Sequence, residues 1–270
     1  MRRWDELTTE DAAALAPDTV AILPVASIEQ HGPHLPLSVD ADINRAVLDR
    51  ALELLPASLP ALALPGFVYG HAPEHMGFKG TLSLSAETLR RAWTEIAEGV
   101  HRAGVRRLVL FNSHGGNPPV MEIVAVDLRV RLGMLVVPVG WTRFGRPPGP
   151  QGNSDLFGEA ERSYGIHAGA EETSLMLHLA PHRVRRDKLR DFPSSAAALA
   201  GTARRLRAHG RIGFGWAAQD LNPAGAVGDA RAASAEAGAA LLEHAARGLA
   251  ELIQDVHEFP LDRLAPPPHP

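Results

Sequence analysis

The sequence contains no cysteine among its 270 residues. This absence excludes a disulfide framework, a thiolate metal site and a cysteine nucleophile. Any metal ion in the protein must therefore be held by histidine, aspartate or glutamate side chains, which narrows the metal to ions that accept harder ligands.

Long apolar runs and long basic runs are also missing. No segment approaches the roughly 18 apolar residues of a membrane span, and the N-terminal region turns acidic where a signal peptide would need an apolar core. The formal net charge is −4, and no run of lysine or arginine is long enough to follow a phosphate backbone. We therefore expect a cytoplasmic protein that has neither a membrane nor a nucleic acid as its partner.

Two common motifs are absent as well. The sequence has no G-x-S-x-G elbow, so Ser27 and Ser113 lack the context of a serine-hydrolase nucleophile. The segment Gly213-Phe214-Gly215 has no buried strand before it and lacks the third glycine of a dinucleotide loop. Serine hydrolysis and nucleotide binding are therefore disfavoured.

Strand-length apolar runs alternate with helix-length segments through the first half of the chain, which predicts an α/β fold. Apolar residues make up 45% of the chain, and we expect a single domain over residues 1–270. Strands are predicted at residues 20–25, 62–68, 107–112 and 134–139, and helices at 42–55, 88–103 (after Ser85 as cap) and 118–131.

The second half of the chain is less regular. The pattern predicts a basic helix near residues 197–208 and a long alanine-rich helix that begins at a cap, Asp229, and runs to about residue 256. Irregular segments cover residues 142–165 and 181–228. Loops of this length inside a compact domain are typical of lids or assembly surfaces.

The densest polar cluster, SIEQHGPHLPLSVD, directly follows the first predicted strand. Glu29 and His31 are two residues apart, so in extended chain their side chains leave the same face and could meet at one metal ion. Asp40 follows just before a helix. Either Asp40 or Asp42 could instead cap that helix, because aspartate is a preferred cap.

A second cluster, NSHGGN, follows the predicted strand at residues 107–112 and contains His114. A single histidine after a strand is more often an ordinary loop residue than a ligand. Two polar clusters at the carboxyl ends of two strands are harder to explain in that way, because open α/β sheets place their sites at this edge. The two clusters together therefore predict one metal site.

A third cluster, HAGAEETS, begins with His167 and opens a helix. Two acids in a first helical turn, Glu171 and Glu172, could simply interact with the helix dipole. They could also provide a metal ligand and an acid or base. Because adjacent helical residues point about 100° apart, only one of the two is expected to face a metal.

These three strings, in this order, resemble the creatininase-like amidohydrolase family, which includes formamide-cleaving enzymes and the mycofactocin-maturation peptidase. The resemblance runs from about residue 18 to residue 180 and implies a three-layer α/β/α sandwich around a mostly parallel sheet. It implies two divalent ions per chain, most often zinc, with manganese or iron as alternatives. It also implies a homo-oligomer, a hexamer or a dimer. By the same resemblance Glu29 and His114 would bind one ion and His31 the other, Asp40 would bridge them, and His167 would be the catalytic acid or base.

The chain departs from creatinine amidohydrolase itself at several positions. That enzyme has a tyrosine and a metal-binding glutamate where this chain has Gly115 and Gly116. The two glycines resemble the Gly-Gly branch of the family, that of the formamide-cleaving and mycofactocin-maturation members, and this resemblance implies that Glu172 provides the missing ligand. Glu171 is its rival because it lies four residues from His167. Other pocket positions also differ, which argues against creatinine as the substrate: Ser163, Tyr164, Ala72 and Lys79.

We therefore predict a metal-dependent hydrolase that cleaves a non-peptide C–N bond of a small amide with a metal-activated water. One alternative is a peptidase of the mycofactocin-maturation type. Another is a non-catalytic, metal-binding oligomeric protein. His71 and His75, on a loop that resembles the family's substrate side, could contact substrate or be ordinary loop residues.

Overall fold

The computed structural model describes residues 2–149 and 156–266. Its central sheet contains β1 (Val20–Val25), β2 (Ala61–Ala63), β3 (Arg107–Asn112) and β4 (Leu135–Gly140). Their order is β2-β1-β3-β4, and each neighbouring pair is parallel. A separate antiparallel pair is formed by β5 (Asp191–Phe192) and β6 (Gly228–Asp229). The prediction of an α/β fold with a mostly parallel sheet is confirmed.

The α-helices among the described residues connect and cover these strands. They are α1 (Thr9–Ala13), α2 (Val39–Leu54), α3 (Ala86–Arg102), α4 (Pro118–Leu132), α5 (Glu159–Tyr164), α6 (Ala170–Leu179), α7 (Ser195–Thr202), α8 (Ala218–Leu221) and α9 (Ala235–Glu258). None of them is long and apolar enough to cross a membrane. Ser85 caps α3 as predicted, because its hydroxyl accepts a hydrogen bond from the N–H of Thr88.

Helices pack on both faces of the sheet because successive strand residues point to opposite faces. On β1, Val20 and Ile22 pack into one buried cluster with residues of α2, α6 and α9. Ala21, Leu23 and Val25 pack into a second cluster with residues of α3 and α4. The expected three-layer α/β/α sandwich is therefore present.

The helices predicted at residues 42–55, 88–103 and 118–131 and the strand predicted at 134–139 agree with the structure to within three residues, and α2 begins early enough to include Asp40, which was expected just before it. Two other predicted elements are shorter than expected. The strand predicted at residues 62–68 is interrupted at Pro65-Gly66, because proline has no N–H to donate, and the pairing resumes only at a bridge between Phe67 and Val25. The helix predicted at residues 197–208 is α7, which ends at Thr202, where the next residue is extended.

The prediction that Asp229 caps the long helix is wrong. Ser234 caps α9 by accepting a hydrogen bond from the N–H of Ala237. Asp229 instead caps a short 3₁₀ turn by accepting from the N–H of Arg231. The N–H of Asp229 donates to the buried carboxylate of Glu161, which holds this part of the chain in a short strand. The long helix therefore begins further along the chain, at Ala235.

Candidate metal centre

The three polar clusters of the sequence meet at the carboxyl edge of the sheet. β1 and β3 are adjacent and parallel, so the loops that follow them start side by side. Glu29 and His31 come from the loop after β1, and His114 from the loop after β3. Asp40 lies in the first turn of α2, and Glu172 in the first turn of α6. All five predicted ligands are therefore brought together.

The carboxylate of Asp40 lies between two histidines. Its Oδ1 is 3.4 Å from Nε2 of His31, and its Oδ2 is 3.4 Å from Nδ1 of His114. Nδ1 of His114 is also 2.8 Å from Oε2 of Glu29, and Nε2 of His31 is 3.7 Å from Oε2 of Glu172. The alternative in which Asp40 or Asp42 caps α2 does not apply, because Ser38 is the N-cap residue.

Three of these atoms are completely buried and make no hydrogen bond among the described residues: Oε2 of Glu29, Nε2 of His31 and Oδ2 of Asp40. The short contact of Oε2 of Glu29 with Nδ1 of His114 becomes an ion pair only when that histidine is protonated. Burial of such groups without partners is costly, and buried charges are normally paired or bound to metals. One set of ligand atoms belongs to Glu29, Asp40 and His114, and another to His31, Asp40 and Glu172, with each set within 4.8 Å. The residues therefore fit two divalent ions that share Asp40.

Hydrogen bonds on the far side of each ring orient both histidines. Nε2 of His114 donates to the carbonyl of His71 at 2.8 Å, and Nδ1 of His31 donates to the carbonyl of Glu29 at 3.1 Å. Each bond fixes the ring and leaves the opposite nitrogen facing the centre. Histidine ligands of metals are usually held by such outer hydrogen bonds.

The centre is strongly electronegative. Burial lowers the pKa of His31, but the neighbouring carboxylates of Asp40, Glu172 and Glu29 outweigh it and raise that pKa to about 9. The pKa of His114 is also well above its ordinary value, because Glu29 and Asp40 outweigh burial. Burial, with the charge of Asp40, raises the pKa of Glu172. The carboxylates thus favour a positive charge here, and metal ions and protons compete for the same nitrogens.

Glu171 and Glu172 point in different directions, as helical geometry requires. The carboxylate of Glu171 pairs with Arg146, away from the other acids of the centre. Glu172 accepts a hydrogen bond from the N–H of Ala168 at 2.5 Å and faces His31. Of the two rivals, Glu172 is therefore the acid that could bind a metal.

His167 lies beside the centre and is buried. Its Nε2 donates to the carbonyl of Gln30 at 2.7 Å, so its Nδ1 is the nitrogen that faces inward, 3.9 Å from Oε1 of Glu29. The rings of His31 and His167 are 4.2 Å apart. The next residue, Ala168, has a φ of 55°, a strained conformation for a residue with a side chain.

Comparison with known proteins gives the family. Residues 5–253 match the family Creatininase, described as creatinine amidohydrolase. The chain belongs to the creatininase family. It is 34% identical over 239 residues to the mycofactocin precursor peptide peptidase of Mycobacterium ulcerans, covering 86% of this chain and 84% of that protein. It is 31% identical over 278 residues to the creatinine amidohydrolase of Pseudomonas putida, covering 95% of each.

Solved creatininase structures share the fold. A structure described as "Creatininase Mn" matches with a TM-score of 0.72 and 29% identity, covering 97% of this chain and 98% of that one. A mutant creatininase described as "Zn-Zn type" also matches with a TM-score of 0.72 and 29% identity, covering 97% of this chain and 98% of that one. This creatininase-family hydrolase thus has divalent-metal relatives, and its own clustered side chains support a divalent-metal site.

Gln30 is a residue of the centre that no sequence pattern indicates, and His75 is one whose role the pattern leaves open. The amide of Gln30 donates to Nδ1 of His75 at 2.8 Å and to the carbonyl of Gly225 at 2.8 Å, and its Oε1 accepts from the N–H of Gly32. His75 then carries its ring proton on Nε2, 3.3 Å from Oε1 of Glu29. No local pattern could reveal Gln30, because its partners lie up to 195 residues away.

We expect the change Gln30→Glu to move the ring proton of His75 from Nε2 to Nδ1, because a carboxylate accepts where the amide donated. Long-range ¹H–¹⁵N NMR of the metal-depleted protein distinguishes the two tautomers. The tautomer of His34, which does not contact Gln30, should stay unchanged and serves as the internal control. Retention of the Nε2 proton on His75 would refute this role of Gln30.

His71, the other histidine left open by the sequence, has a different position. Its ring Nδ1 bonds to the carbonyl of Leu84 at 3.1 Å, while its own carbonyl accepts from His114. Its backbone therefore orients a proposed ligand, and its ring is engaged elsewhere. Beside it, Gly116 leaves room for this bond, since a Cβ there would lie 2.1 Å from the carbonyl oxygen of His71.

A cavity of about 670 Å³ opens beside the centre. Its volume lies in the range of pockets that hold small-molecule ligands. Its lining includes Ser113, His114, Gly115, Arg143, Arg146 and Glu172. A substrate in this cavity would therefore lie directly against two of the five proposed ligands.

His34 links the first motif to the third. Its Nε2 donates to the carbonyl of Ala168 at 3.1 Å, and burial lowers its pKa from 6.5 to about 4. The folded protein therefore binds a proton at His34 less tightly than the unfolded chain does, so stability is lost as the pH falls from 6.5 towards 4.

We expect His34 to contribute about 2 kcal/mol to this loss between pH 7.5 and pH 5. The free energy of unfolding in urea should be measured for the metal-depleted wild type and for His34→Gln at both pH values. The variant cannot protonate at this position, so its stability should fall by about 2 kcal/mol less than that of the wild type. Equal losses in the two proteins would show that His34 does not titrate in this way.

Proposed function

We propose that this creatininase-family hydrolase is an amidohydrolase that uses two divalent ions, most often zinc, with manganese or iron as alternatives. Glu29 and His114 would hold one ion, His31 and Glu172 the other, and Asp40 would bridge them. The observation that carries the proposal is the set of buried, unpartnered ligand atoms on Glu29, His31 and Asp40. Nitrogen and carboxylate ligands without sulfur suit all three metals.

When bound, the ions would lower the pKa of a water molecule and polarise the carbonyl of an amide substrate. His167 would do the proton transfer, because its Nδ1 faces the centre while its Nε2 is fixed by the carbonyl of Gln30. In this orientation Nδ1 can accept a proton and deliver it to the leaving nitrogen. The carboxylate of Glu172, held by the N–H of Ala168, would keep its place beside His31.

A small non-peptide amide stays our prediction for the substrate from the sequence. A second candidate is a peptide amide. It is supported by the similarity to mycofactocin precursor peptide peptidases. Gly115 and Gly116 carry no side chains that would occupy the space next to His114.

The proposal is tested by elemental analysis followed by hydrolysis. Protein purified without chelator should contain about two equivalents of metal. Hydrolysis should be measured as the creatine formed from creatinine and as the amine released from an N-formyl amine and from short peptides. Chelation should abolish the hydrolysis, and zinc or manganese should restore it. Failure to bind zinc, manganese or iron after reconstitution would refute the mechanism, and metal binding without any hydrolysis would favour the non-catalytic alternative.

We expect His167→Gln to lower kcat by about 10²–10⁴, the usual contribution of a positioned acid or base. Its metal content should remain that of the wild type, because the five proposed ligands are unchanged. Elemental analysis and steady-state kinetics on the same preparation separate these two effects. A variant that loses its metal together with its activity would instead identify His167 as a ligand, which its position beside Glu29 and His31 allows.

We also propose that the protein forms a homo-oligomer, a hexamer or a dimer, that it is cytoplasmic, and that it has no nucleic-acid or membrane partner. Light scattering coupled to size-exclusion chromatography would give the mass of the assembly. A monomer at micromolar concentration would contradict the oligomer.

A further inference from the structure

A basic segment lies in the second half of this otherwise acidic chain. Residues 192–219 contain no aspartate or glutamate, while the net charge of the whole chain is −4. Four arginines fall within eight residues of this segment, which we call the basic loop (residues 204–214): Arg204, Arg205, Arg207 and Arg211. The local charge is therefore opposite in sign to that of the chain.

The basic loop has a defined backbone. The N–H of Arg207 donates to the carbonyl of Ile212 at 3.0 Å, which closes a short turn, and Gly210 provides its left-handed residue with a φ of 93°. Arg204 and Arg211 are exposed and form no ion pair among the residues that the structure describes. Their charges are thus available to a ligand.

Apolar side chains accompany these charges on the surface. In the basic loop the exposed fractions are 45% for Leu206, 50% for Ile212 and 41% for Phe214. Exposed apolar residues that are grouped beside charges are typical of interaction sites rather than of ordinary solvated surface. The loop therefore offers both ionic and apolar contacts.

The basic loop borders the cavity of the metal centre. His209, within this loop, lines that cavity together with His114 and Glu172. Arg143 and Arg146 line it as well. Arg146 is neutralised by Glu171, whereas Arg143 has no ion-pair partner in the described part of the chain. The lining also contains acids, among them Glu122, so the positive charge beside the cavity comes from Arg143 and from the arginines of the basic loop.

From this arrangement we propose that the basic loop binds an acidic segment of a peptide substrate, whose scissile amide enters the cavity. Guanidinium groups bind carboxylates with two parallel hydrogen bonds, and the exposed arginines of the basic loop would attract an anionic ligand. The inference rests on the proposed hydrolase together with its second candidate substrate, a peptide amide, and it specifies which peptides the same centre would receive.

The mixed character of the loop favours a peptide over a small amide or a nucleic acid. Leu206 and Ile212 suit the apolar side chains of a peptide, and a small amide has no such side chains to place against them. Nucleic-acid binding relies on many phosphate contacts, which the net charge of −4 opposes. A peptide that carries both acidic and apolar residues matches both features.

The test is a binding measurement by fluorescence anisotropy. The probes are a fluorescein-labelled ten-residue peptide of alternating glutamate and leucine, the same peptide with glutamine for glutamate, and a labelled ten-nucleotide single strand. The proteins are the metal-loaded wild type, the double variant Arg204→Gln/Arg211→Gln and the control double variant Arg102→Gln/Arg263→Gln. The control arginines are exposed and lie near the amino ends of the strands, away from the cavity.

We expect the acidic peptide to bind the wild type about tenfold more tightly than the glutamine peptide does, since paired charges at an interface carry this much selectivity. The double variant should lose this preference, and the control should keep it. The inference would be overturned if the wild type bound the two peptides equally. It would also be overturned if the double variant Arg204→Gln/Arg211→Gln kept the preference for the acidic peptide, or if the control variant lost as much of that preference. If the oligonucleotide bound more tightly than the acidic peptide and through the same arginines, the ligand of the basic loop would be a nucleic acid and the inference would be wrong.

The same measurement on Asp40→Ala separates this inference from the proposed function. The basic loop does not contain a proposed metal ligand, so the acidic peptide should bind this variant as it binds the wild type. If the acidic peptide binds but no preparation hydrolyses an amide, the binding role of the basic loop is supported and the proposed hydrolase is contradicted. If short peptides are hydrolysed without any preference for acidic ones, the proposed hydrolase is supported and this inference is contradicted.

Discussion

The change Asp40→Ala is expected to remove nearly all bound metal and to reduce amide hydrolysis to below about one thousandth of the wild-type rate. Asp40 is common to the cluster with Glu29 and His114 and the cluster with His31 and Glu172, and its two oxygens are directed to the two histidines. Its loss therefore weakens both sites together. Metal activation of water and carbonyl accounts for several kcal/mol of a hydrolytic barrier, which corresponds to this decrease in rate.

Asp42 provides a matched control in the same helical turn. Its carboxylate accepts hydrogen bonds from Ser38 and Arg183 and belongs to neither metal-binding cluster. The variant Asp42→Ala should therefore lose some stability but keep about two equivalents of metal. Elemental analysis and kinetics on both variants check the prediction. Wild-type metal content in Asp40→Ala, or equal losses in the two variants, would contradict the bridging role.

The change Gly116→Ala is expected to lower the free energy of unfolding by about 2–3 kcal/mol and to reduce metal content. A Cβ at this position would lie 2.1 Å from the carbonyl oxygen of His71 and 2.6 Å from Nε2 of His114. These are the two atoms of the hydrogen bond that orients His114. The methyl group would therefore push apart a backbone segment and a proposed ligand, and the ring could no longer present Nδ1 to the centre.

Gly115 is the matched control for this substitution. A Cβ on Gly115 meets no atom of the described residues within 4 Å. Gly115→Ala should therefore stay within about 0.5 kcal/mol of the wild type in urea unfolding and keep its metal. The opposite result, with Gly115→Ala more damaging than Gly116→Ala, would show that the geometry of this loop is wrong.

The pair of glycines also marks this chain's difference from creatinine amidohydrolase. The family resemblance implies that creatinine amidohydrolase has a metal-binding glutamate at the position of Gly116. In the present chain the surrounding space is taken by the carbonyl of His71 and the carboxylate of Glu74, which would be 2.9 Å from a Cβ. Glu172 lies with His31 and Asp40 instead. This arrangement is consistent with Glu172 as the ligand that replaces the missing glutamate.

The sequence by itself determined the features that depend on neighbouring residues. The apolar runs of β1 and β3 and the polar clusters directly after them are local patterns, so their alignment at one edge of a parallel sheet followed from strand direction alone. The three motifs, through their order and their family resemblance, also indicated the candidate site residues, with a capping role left open for Asp40 and Glu171 left as the rival of Glu172: Glu29, His31, Asp40, His114, His167 and Glu172.

Only the tertiary structure decided questions that depend on distant contacts. Helical geometry required Glu171 and Glu172 to diverge, but the direction of each depended on where α6 packs. Asp40 could have been a cap until the fold placed it between two histidines. Gln30 had no signal at all, because its hydrogen bonds reach His75 and Gly225 across 45 and 195 residues. Such contacts arise only when the folded chain brings remote segments together, and no local pattern encodes them.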